Sequence, residues 1–479
     1  MGCGPRRLPW RPRRAAADAP GAFDRTLIAP MILGSILNPI NSSIIAVSLV
    51  PIGIAFGAPP SETAWLVSAL YLATAIGQPV VGRLVDTYGP RRLFLSGATL
   101  VGIAGILGTV APSLPGLVVA RILLGFGTCA GYPAAMYLIR SEAARTGRDS
   151  PGGVLTALAV AAQTISVVGP TLGGLLIGLG GWRATFAINI PLSVACLVLG
   201  ARRLPRARTV RPAGRLDVGG IVLFAAMLTS LLLFLMRPRV DHLYLLGLTA
   251  VAAAALTRRE LRVAEPFIDL RVLGGNLPLI ATYVRNLLGQ TVSYCFLYGY
   301  TQWMEGGHGL HPTEAGLVLL PLSLVAIVVA AVTGRRPQIR GKLLVGGLTQ
   351  VLACALLLVV HPTSAIVLLV AVVVVMGVPQ GLNSLANQNA VYHQADAGRI
   401  GSSAGLLRTS TYLGAIAASA ASGAFLEHSA DTSGLQDLAL FMMGAAVLFL
   451  AVTAVDRSLH RVGARDDAPD TTAGAPVTR

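Results

Sequence analysis

Long apolar runs that carry almost no charge recur along the chain, and they constrain its fold more than any other feature. Most runs are about 20 residues or longer, which is the length of helix that crosses the hydrocarbon core of a bilayer. Only 12% of the 479 residues are charged, 54% are hydrophobic, and the mean hydropathy is +0.69. This composition excludes a soluble protein. We therefore predict an all-α polytopic membrane protein.

The runs predict about 14 transmembrane helices, grouped as six, two and six. The first six lie at 27–56, 63–82, 93–111, 114–139, 152–179 and 184–201. The next two lie at 218–236 and 242–257. The last six lie at 277–303, 315–334, 343–360, 365–390, 401–426 and 438–455. This division predicts five regions: a basic tail 1–26, a six-helix bundle 27–201, a connector with two extra helices 202–273, a second six-helix bundle 274–456 and a tail 457–479.

Basic residues lie mainly in the short loops between the runs. Nearly all of the 37 Lys and Arg residues fall on one predicted side, and only Arg183, Arg237 and Arg239 fall on the other. Because positively charged loops stay in the cytoplasm, both termini are predicted to be cytoplasmic. The net charge of +16 is then a topology signal, and we expect no nucleic-acid partner.

The sequence lacks the patterns of an enzyme, a metal site or an ATP-driven pump. Four of the five cysteines lie inside apolar runs without C-x-x-C spacing, so we expect neither a disulfide nor zinc. No G-x-x-x-x-G-K-[ST] motif occurs. The spans hold no titratable cluster, which predicts no catalytic residue and no cofactor. Besides a transporter and a membrane enzyme, the third class of protein to consider is a receptor or scaffold that transports nothing. That class explains none of the motifs described below.

The loop between the second and third runs carries a pattern of charges and glycines. It reads G-R-L-V-D-T-Y-G-P-R-R from Gly82 to Arg92. Gly89 permits a tight turn, and Asp86 can pair with Arg91 or Arg92 or cap a helix N-terminus, which would latch two helices together. An ordinary charged loop that obeys the positive-inside rule is the alternative. We predict a motif-loop switch formed by Gly82, Asp86, Gly89, Arg91 and Arg92.

The fourth and fifth runs carry two further motifs. Arg121 lies within R-I-L-L-G, and an arginine in hydrocarbon is costly unless it is paired or hydrated. It is either a charge relay or a structural group that binds backbone carbonyls. The fifth run ends in G-P-T-L-G-G, followed by W-R-A-T-F-A-I-N-I-P. Proline removes a helical hydrogen bond and glycines let helices approach, so we predict a hinge at Gly169, Pro170, Gly173 and Gly174.

Together these motifs resemble those of the major facilitator superfamily, in its fourteen-span branch of drug:proton antiporters. The loop resembles the signature G-x-L-a-D-r-x-G-r-k/r with Pro90 at a usually basic position, and Arg121 matches the R-x-x-x-G motif associated with proton-coupled movement. Residues 169–174 resemble the antiporter signature of exporters, and segments 266–270 and 401–414 continue the likeness. The resemblance implies a secondary transporter that exports a drug, antibiotic or secondary metabolite by alternating access.

One position departs from that branch. Many of its members carry L-D-x-T-I-V-N-V-A-L-P in the first helix, where the aspartate is a proton-coupling candidate, and here Asn41 takes its place. An amide does not titrate. We expect proton antiport with Asn41 and Arg121 at the coupling position. The alternative is an uncoupled or differently coupled facilitator of an anionic or neutral metabolite. Other acids lie at span ends: Glu62, Glu142, Asp217, Glu305 and Glu314.

Polar residues inside the spans are candidates to line a central substrate cavity. They are Asn38, Gln163, Arg285, Gln290, Tyr294, Gln380, Asn383 and Arg408. Hydrogen bonding between helices is the alternative role for the amides. The intramembrane arginines would favour an anionic substrate, or would instead bind water and backbone carbonyls without substrate.

The expected partners are a small-molecule substrate, protons and the lipid bilayer, and we expect a monomer. Lys342 is the only lysine in a chain rich in arginine. That usage suits a GC-rich bacterial genome, so the expected location is a bacterial inner membrane, as a multi-pass protein of the cell membrane.

Overall fold

The computed structural model describes residues 23–58, 60–63, 65–146, 152–205, 217–236, 240–263, 266–268, 270–310, 312–334, 338–426 and 432–460. Within these residues the chain is helical and contains no strand. Eleven of the described helices are long and apolar enough to cross a membrane. This confirms the all-α polytopic class, while the count of about fourteen crossings and the side of the termini stay predictions. Most of tails 1–26 and 457–479, together with Arg237 and Arg239, lies outside the described residues.

The first half of the chain contains the helices α1 (Ile28–Phe56), α2 (Trp65–Tyr88), α3 (Pro90–Val110), α4 (Leu114–Thr128), α5 (Gly131–Thr146), α6 (Gly152–Gly180) and α7 (Asn189–Arg203). Short helices at Pro60–Thr63 and Ala184–Ala187 precede α2 and α7. Helices α4 and α5 together occupy the fourth predicted run, which a turn at 129–130 divides. The extra pair is α8 (Val218–Met236) and α9 (Leu243–Glu260).

The second half begins with a short helix, Leu270–Gly275, and then contains α10 (Leu277–Cys295), α11 (Pro312–Thr333), α12 (Ile339–Leu358), α13 (Ile366–Gln394), α14 (Ile400–Leu426) and α15 (Thr432–Val455). Beyond Cys295 the α10 helix continues through a π-helical turn, Phe296–Tyr300, into Thr301–Gly306. Every predicted run therefore contains described helix.

Glycine, proline and capping side chains fix several helix ends. Gly57 ends α1 with a left-handed φ of 62°. Gly89 separates α2 from α3 with φ 88°, and Pro90 occupies the first turn of α3, where its missing N–H costs nothing. Asn276 caps α10 because its side-chain oxygen accepts a hydrogen bond from the Leu279 N–H, 3.1 Å away.

The two halves meet mainly along three helix pairs. Helix α14 packs against α2 and α5, and α6 packs against α11. Segment 82–92 was predicted as a loop, but the structure continues α2 to Tyr88 and begins α3 at Pro90, so only Gly89 lies between helices. We call the end of the bundle that carries this segment the loop end. There, buried Leu385, Ile400 and Leu407 of the second half join the hydrophobic core of the first half. Toward the opposite end the second half has a separate core of its own around Trp303. The halves are thus packed together most continuously at the loop end.

The extra hairpin α8–α9 covers the α2–α14 contact, because α8 touches both helices. Phe224 of α8 packs on Phe267, with ring centroids 5.5 Å apart. At its base, Asp217 accepts a hydrogen bond from the Gly220 N–H at 2.9 Å and forms an ion pair with Arg259 at 2.7 Å. Burial acts to raise the pKa of Asp217, but these bonds outweigh it and hold that pKa below its usual value.

Candidate functional site

Asp86 joins the two halves at the loop end. One carboxylate oxygen accepts the Gly401 N–H at 2.8 Å, and the other accepts the Ser402 N–H at 2.8 Å and the Ser402 hydroxyl at 2.7 Å. These N–H groups lie in the first turn of α14, so the carboxylate also meets the positive end of the helix dipole. Of the alternatives for Asp86, the structure therefore has the helix cap.

The neighbouring loop residues have other roles. Gly82 faces Gly401 so closely that a Cβ there would overlap its carbonyl oxygen, which explains why α2 carries glycine at this point. Arg91 donates to the Ala201 carbonyl oxygen near the end of α7, 2.8 Å away. Arg92 is exposed. The loop thus holds α14 through Asp86 and the first half through Arg91.

Contacts along α14 continue from the loop end toward the middle of the bundle, and we call the contact between α14 and the first half the seam. A Cβ at Gly405 would overlap the Gln78 backbone, and the Thr409 hydroxyl donates to the Ala75 carbonyl oxygen at 3.0 Å. Further along, the Tyr412 hydroxyl donates to Asn38 Oδ1 at 2.8 Å. Helix α14 of the second half therefore contacts the first half at successive positions along its length.

Asn38 lies at the end of this series of contacts that is furthest from the loop end. Its amide nitrogen donates to Thr74 Oγ1 at 3.3 Å and to Thr128 Oγ1 at 3.1 Å. Together with the bond from Tyr412, these contacts join α1, α2, α4 and α14. Asn38 is half-buried and lies where the two halves meet, which is where a central substrate cavity is expected.

Asn41 forms a reciprocal amide pair. Its nitrogen donates to Asn189 Oδ1 at 2.7 Å, and the Asn189 nitrogen donates back to Asn41 Oδ1 at 3.0 Å. Both residues are buried. A carboxylate at position 41 could not donate to Asn189, so this pair suits an amide and not the aspartate of the family motif.

Arg121 is held by backbone oxygens. Its Nε donates to the Leu66 carbonyl at 2.8 Å, and Nη1 donates to the Asn41 carbonyl at 3.1 Å. The side chain is only 2% exposed, and among the described residues no acidic side chain forms an ion pair with it. These contacts are the ones expected of a structural arginine that binds backbone carbonyls. The charge-relay role stays a prediction.

The glycines of the proposed hinge lie in one continuous helix, α6. A Cβ at Gly169 would overlap the Ser43 hydroxyl, and one at Gly173 would lie 2.6 Å from Val47, so both face α1. Gly174 faces open space, and the side chain of Pro170 lies outside the described residues. Gly169 and Gly173 therefore form a close α1–α6 packing surface.

Arg408 lies half-buried near the seam. Its guanidinium carbon is 4.1 Å from the ring centroid of Tyr132 on α5, which is a cation–π contact between the halves. Tyr294, another cavity candidate, pairs with Tyr298 at a centroid distance of 5.7 Å. The rings of Tyr71 and Tyr412 are 5.8 Å apart. Tyrosines of both halves therefore collect around the middle of the bundle.

Arg285 does not line a cavity in this structure. It is 0% exposed and forms an ion pair with Asp456, with 2.6 Å between Nη1 and Oδ2. Its Nη2 donates to Thr282 Oγ1 at 2.6 Å, and the Thr282 hydroxyl donates to Gln394 Oε1 at 2.7 Å. The pairing was not predicted from the sequence, because Asp456 follows the last predicted run and is distant from Arg285 along the chain.

Breaking this buried pair is expected to destabilise the second half. Asp456→Asn should lower the free energy of unfolding by about 3 kcal/mol or more, because it leaves the Arg285 charge buried without a counter-charge. Thermal unfolding of the detergent-solubilised protein measures the change. Asp437→Asn on α15, the helix that Asp456 follows, is the matched control, since Asp437 is exposed. Equal melting temperatures for the two variants would contradict this role.

The remaining cavity candidates are amides with different surroundings. Gln163 and Gln380 are half-buried on α6 and α13. Gln290 is half-buried on α10, where it packs against Gly414. Asn383 is 7% exposed and faces Gly346 of α12, inside the second half and away from the seam. The structure therefore brings Asn38 and Arg408 to the seam, and it places Asn383 elsewhere.

Several residues of the site were not singled out from the sequence. Asn189 had a signal, since it is the asparagine of the W-R-x-x-F-x-x-N-x-P segment. No sequence pattern marked Tyr132, Tyr412 or Thr409, because a single tyrosine or threonine within an apolar run is common. Only their juxtaposition across the seam distinguishes them.

This fold defines a class of protein: a polytopic membrane protein built of two helical halves that meet along α14 and are latched at one end. Comparison with known proteins then shows the family. The Major Facilitator Superfamily profile matches residues 31–419. The chain belongs to that superfamily, whose members are transporters and not enzymes.

Known proteins similar to the chain are bacterial transporters. The uncharacterized MFS-type transporter YwoD of Bacillus subtilis is 32% identical over 88% of this chain and 94% of that protein. The tetracenomycin C resistance and export protein of Streptomyces glaucescens is 32% identical over 64% of this chain and 58% of its own length. The lincomycin resistance protein of Streptomyces lincolnensis is 31% identical over 66% of each chain.

A solved structure supports the fold. The crystal structure of the human organic anion transporter MFSD10 (TETRAN) matches with a TM-score of 0.63, and it covers 90% of this chain and 99% of its own. The sequences are 14% identical, so this likeness concerns the fold alone.

Proposed function

We propose that the chain exports a small organic compound across the bacterial cell membrane, by alternating access of its two halves and in exchange for protons. The observation that carries the proposal is the clamp of Asp86 on the first turn of α14. Its bonds join the halves at one end, and opening that end would break them together with the apolar contacts of Leu385, Ile400 and Leu407. The resistance and export functions in the names of two relatives support an organic substrate.

Proton exchange requires a titratable group, and the helix-1 position does not supply one. Asn41 is neutral and is satisfied by Asn189. In this proposal the proton is carried by an acid elsewhere, and Glu62, Glu142, Glu305 and Glu314 are the first to test. Among these acids, Glu142 forms an ion pair with Arg145, with 2.7 Å between Oε2 and Nη2.

The Asn41–Asn189 pair favours a second candidate function. A carrier whose family coupling site is a neutral amide pair can run without protons, as a facilitator or as an exchanger of a neutral or anionic metabolite. In that case transport follows the substrate gradient and is indifferent to the pH gradient.

Proton flux in everted membrane vesicles tests the choice. With a pH gradient imposed, a cationic dye or an aromatic acid is added, and dequenching of a pH-sensitive fluorophore is followed. We expect the wild type to dequench, and Asn41→Asp to add a component with its own pH dependence because it introduces a titratable carboxylate. Vesicles without the protein and the Asn189→Asp variant are the controls. A response from Asn41→Asp alone would exclude proton antiport by the native chain.

A further inference from the structure

Three arginines lie inside the predicted apolar runs, and only one is open to a ligand. The Arg121 guanidinium donates hydrogen bonds to two backbone carbonyls, and the side chain is 2% exposed. Arg285 is 0% exposed and is neutralised by Asp456. Arg408 is half-buried, and no acidic side chain of the described residues lies within 4.0 Å of its guanidinium. An unneutralised guanidinium inside a membrane protein is costly unless water or an anion meets it.

The position of Arg408 is central to the transporter. It lies eight residues after Ile400, the start of α14, so a rise of about 1.5 Å per residue places it about 12 Å from the Asp86 clamp. Tyr132 covers one face of its guanidinium at 4.1 Å. The edge of a guanidinium carries its N–H donors in a fork that matches a carboxylate. Stacking on Tyr132 therefore leaves that edge for an anion.

Other tyrosines lie near this charge. Tyr412 follows Arg408 by four residues on α14, so the two side chains are neighbours on one helix face. Tyr294 lies on α10, which packs against α14. Tyr71 pairs with Tyr412, and Tyr298 pairs with Tyr294. Tyr132, these four tyrosines and Arg408 come from both halves, and we call them the Arg408 cluster. Their ring spacings of 5.7 and 5.8 Å are those at which aromatic groups attract one another, so the same faces suit an aromatic ligand.

Two further features point to a ligand. The buried Tyr132 hydroxyl has no hydrogen-bond partner among the described residues. Tyr298 lies in the π-helical turn of α10, an irregularity common at functional sites, and it also lines a cavity of about 510 Å³ with Gln302, Ser419 and Ser422. This volume is within the range of small-molecule sites. Tyr298 is shared by the cavity and the Arg408 cluster, and Ser419 and Ser422 lie further along α14 from Ile400 than Arg408 does.

We propose that the Arg408 cluster binds an aromatic organic anion, with Arg408 on its ionised acid group and the tyrosines on its ring. This inference rests on the proposed export function and names the substrate class. Arg408 lies on the helix that Asp86 clamps. An anion bound there contacts the element that joins the halves.

Binding of two matched probes to the full-length, detergent-solubilised protein tests the inference. The probes are 2-naphthoate and its neutral counterpart 2-naphthamide, and the readout is isothermal titration calorimetry. We expect the wild type to bind naphthoate at least about tenfold more tightly, because a charge-assisted bond is made only to the acid. Arg408→Gln should remove this preference while naphthamide binding persists, and Arg408→Lys should retain part of it. Arg258→Gln, at an exposed arginine of α9 outside both the cluster and the loop motif, should leave the preference intact.

Equal affinity of the wild type for the two probes, or no binding of naphthoate, would overturn the anion site. An unchanged preference in Arg408→Gln would do the same, with Arg408→Lys and the melting temperature showing that the variants fold. Uptake of both probes into everted vesicles separates this inference from the export function. Transport of both probes without preference sinks the inference and leaves export standing. A binding preference that depends on Arg408, without any uptake, sinks export and leaves the site.

Discussion

Replacing Asp86 with alanine is expected to reduce export at least about tenfold. The substitution removes three hydrogen bonds at 2.7–2.8 Å and the negative charge at the start of α14. Bonds to a charged group are worth about 1.5–3 kcal/mol each, and a shift of 1.4 kcal/mol changes a two-state population about tenfold. The state closed at the loop end should therefore become the minor one, and the transport cycle should stall.

Initial rates of uptake into everted vesicles, normalised to protein in the membrane, measure this effect. Asp396→Ala is the matched control, because Asp396 is an exposed carboxylate that caps Gly398 within its own half. Asp86→Asn should reduce export as the alanine variant does. The N–H groups of the new amide would face the N–H and O–H groups of Ser402, which also donate, so hydrogen bonds there would be lost. Export at the wild-type rate in Asp86→Ala would remove the clamp from the mechanism.

A valine at Gly405 is expected to abolish export by a different route. A Cβ at this position would overlap the Gln78 carbonyl oxygen, which is backbone and cannot rotate away. Helices α2 and α14 must then separate, which lengthens the Thr409 bond to Ala75 and draws Asp86 from its partners. We expect transport near background with protein still inserted in the membrane.

Gly423→Val on the same helix is the control, because a Cβ at Gly423 meets nothing within 4 Å. It carries the same helix-propensity change without the clash. Similar uptake by the two variants would show that a close seam is not required. Equal loss in both would point to α14 stability and not to the approach of α2.

Much of the fold was predictable because the membrane imposes a simple rule on sequence. Backbone groups in hydrocarbon must be satisfied within the helix, so each span appears as a long apolar run. The runs predicted for α1, α6 and α8 agree with the helices within one residue at each end. Asp86 was predictable as a helix cap or an ion-pair partner, because the loop motif placed an acid beside glycine and arginine.

The contacts across the seam were not predictable, because they depend on how each helix is rotated. Arg285 and Arg408 look alike in sequence, each an arginine in an apolar run of the second half. Only the structure shows that Asp456 reaches the first and that Tyr132 stacks on the second. The Asn41–Asn189 pair likewise joins residues 148 positions apart.

Opening and closing of the loop end is the central claim, and a distance measurement tests it most directly. Spin labels at Arg92 and His393, exposed sites at the loop end on opposite halves, report the separation by double electron–electron resonance in lipid nanodiscs. The four described native cysteines are buried, which favours labelling at the introduced sites. We predict a short distance in the wild type, a second longer distance on adding substrate, and a majority of the longer distance in Asp86→Ala. One unchanged distance under all three conditions would contradict alternating access through this seam.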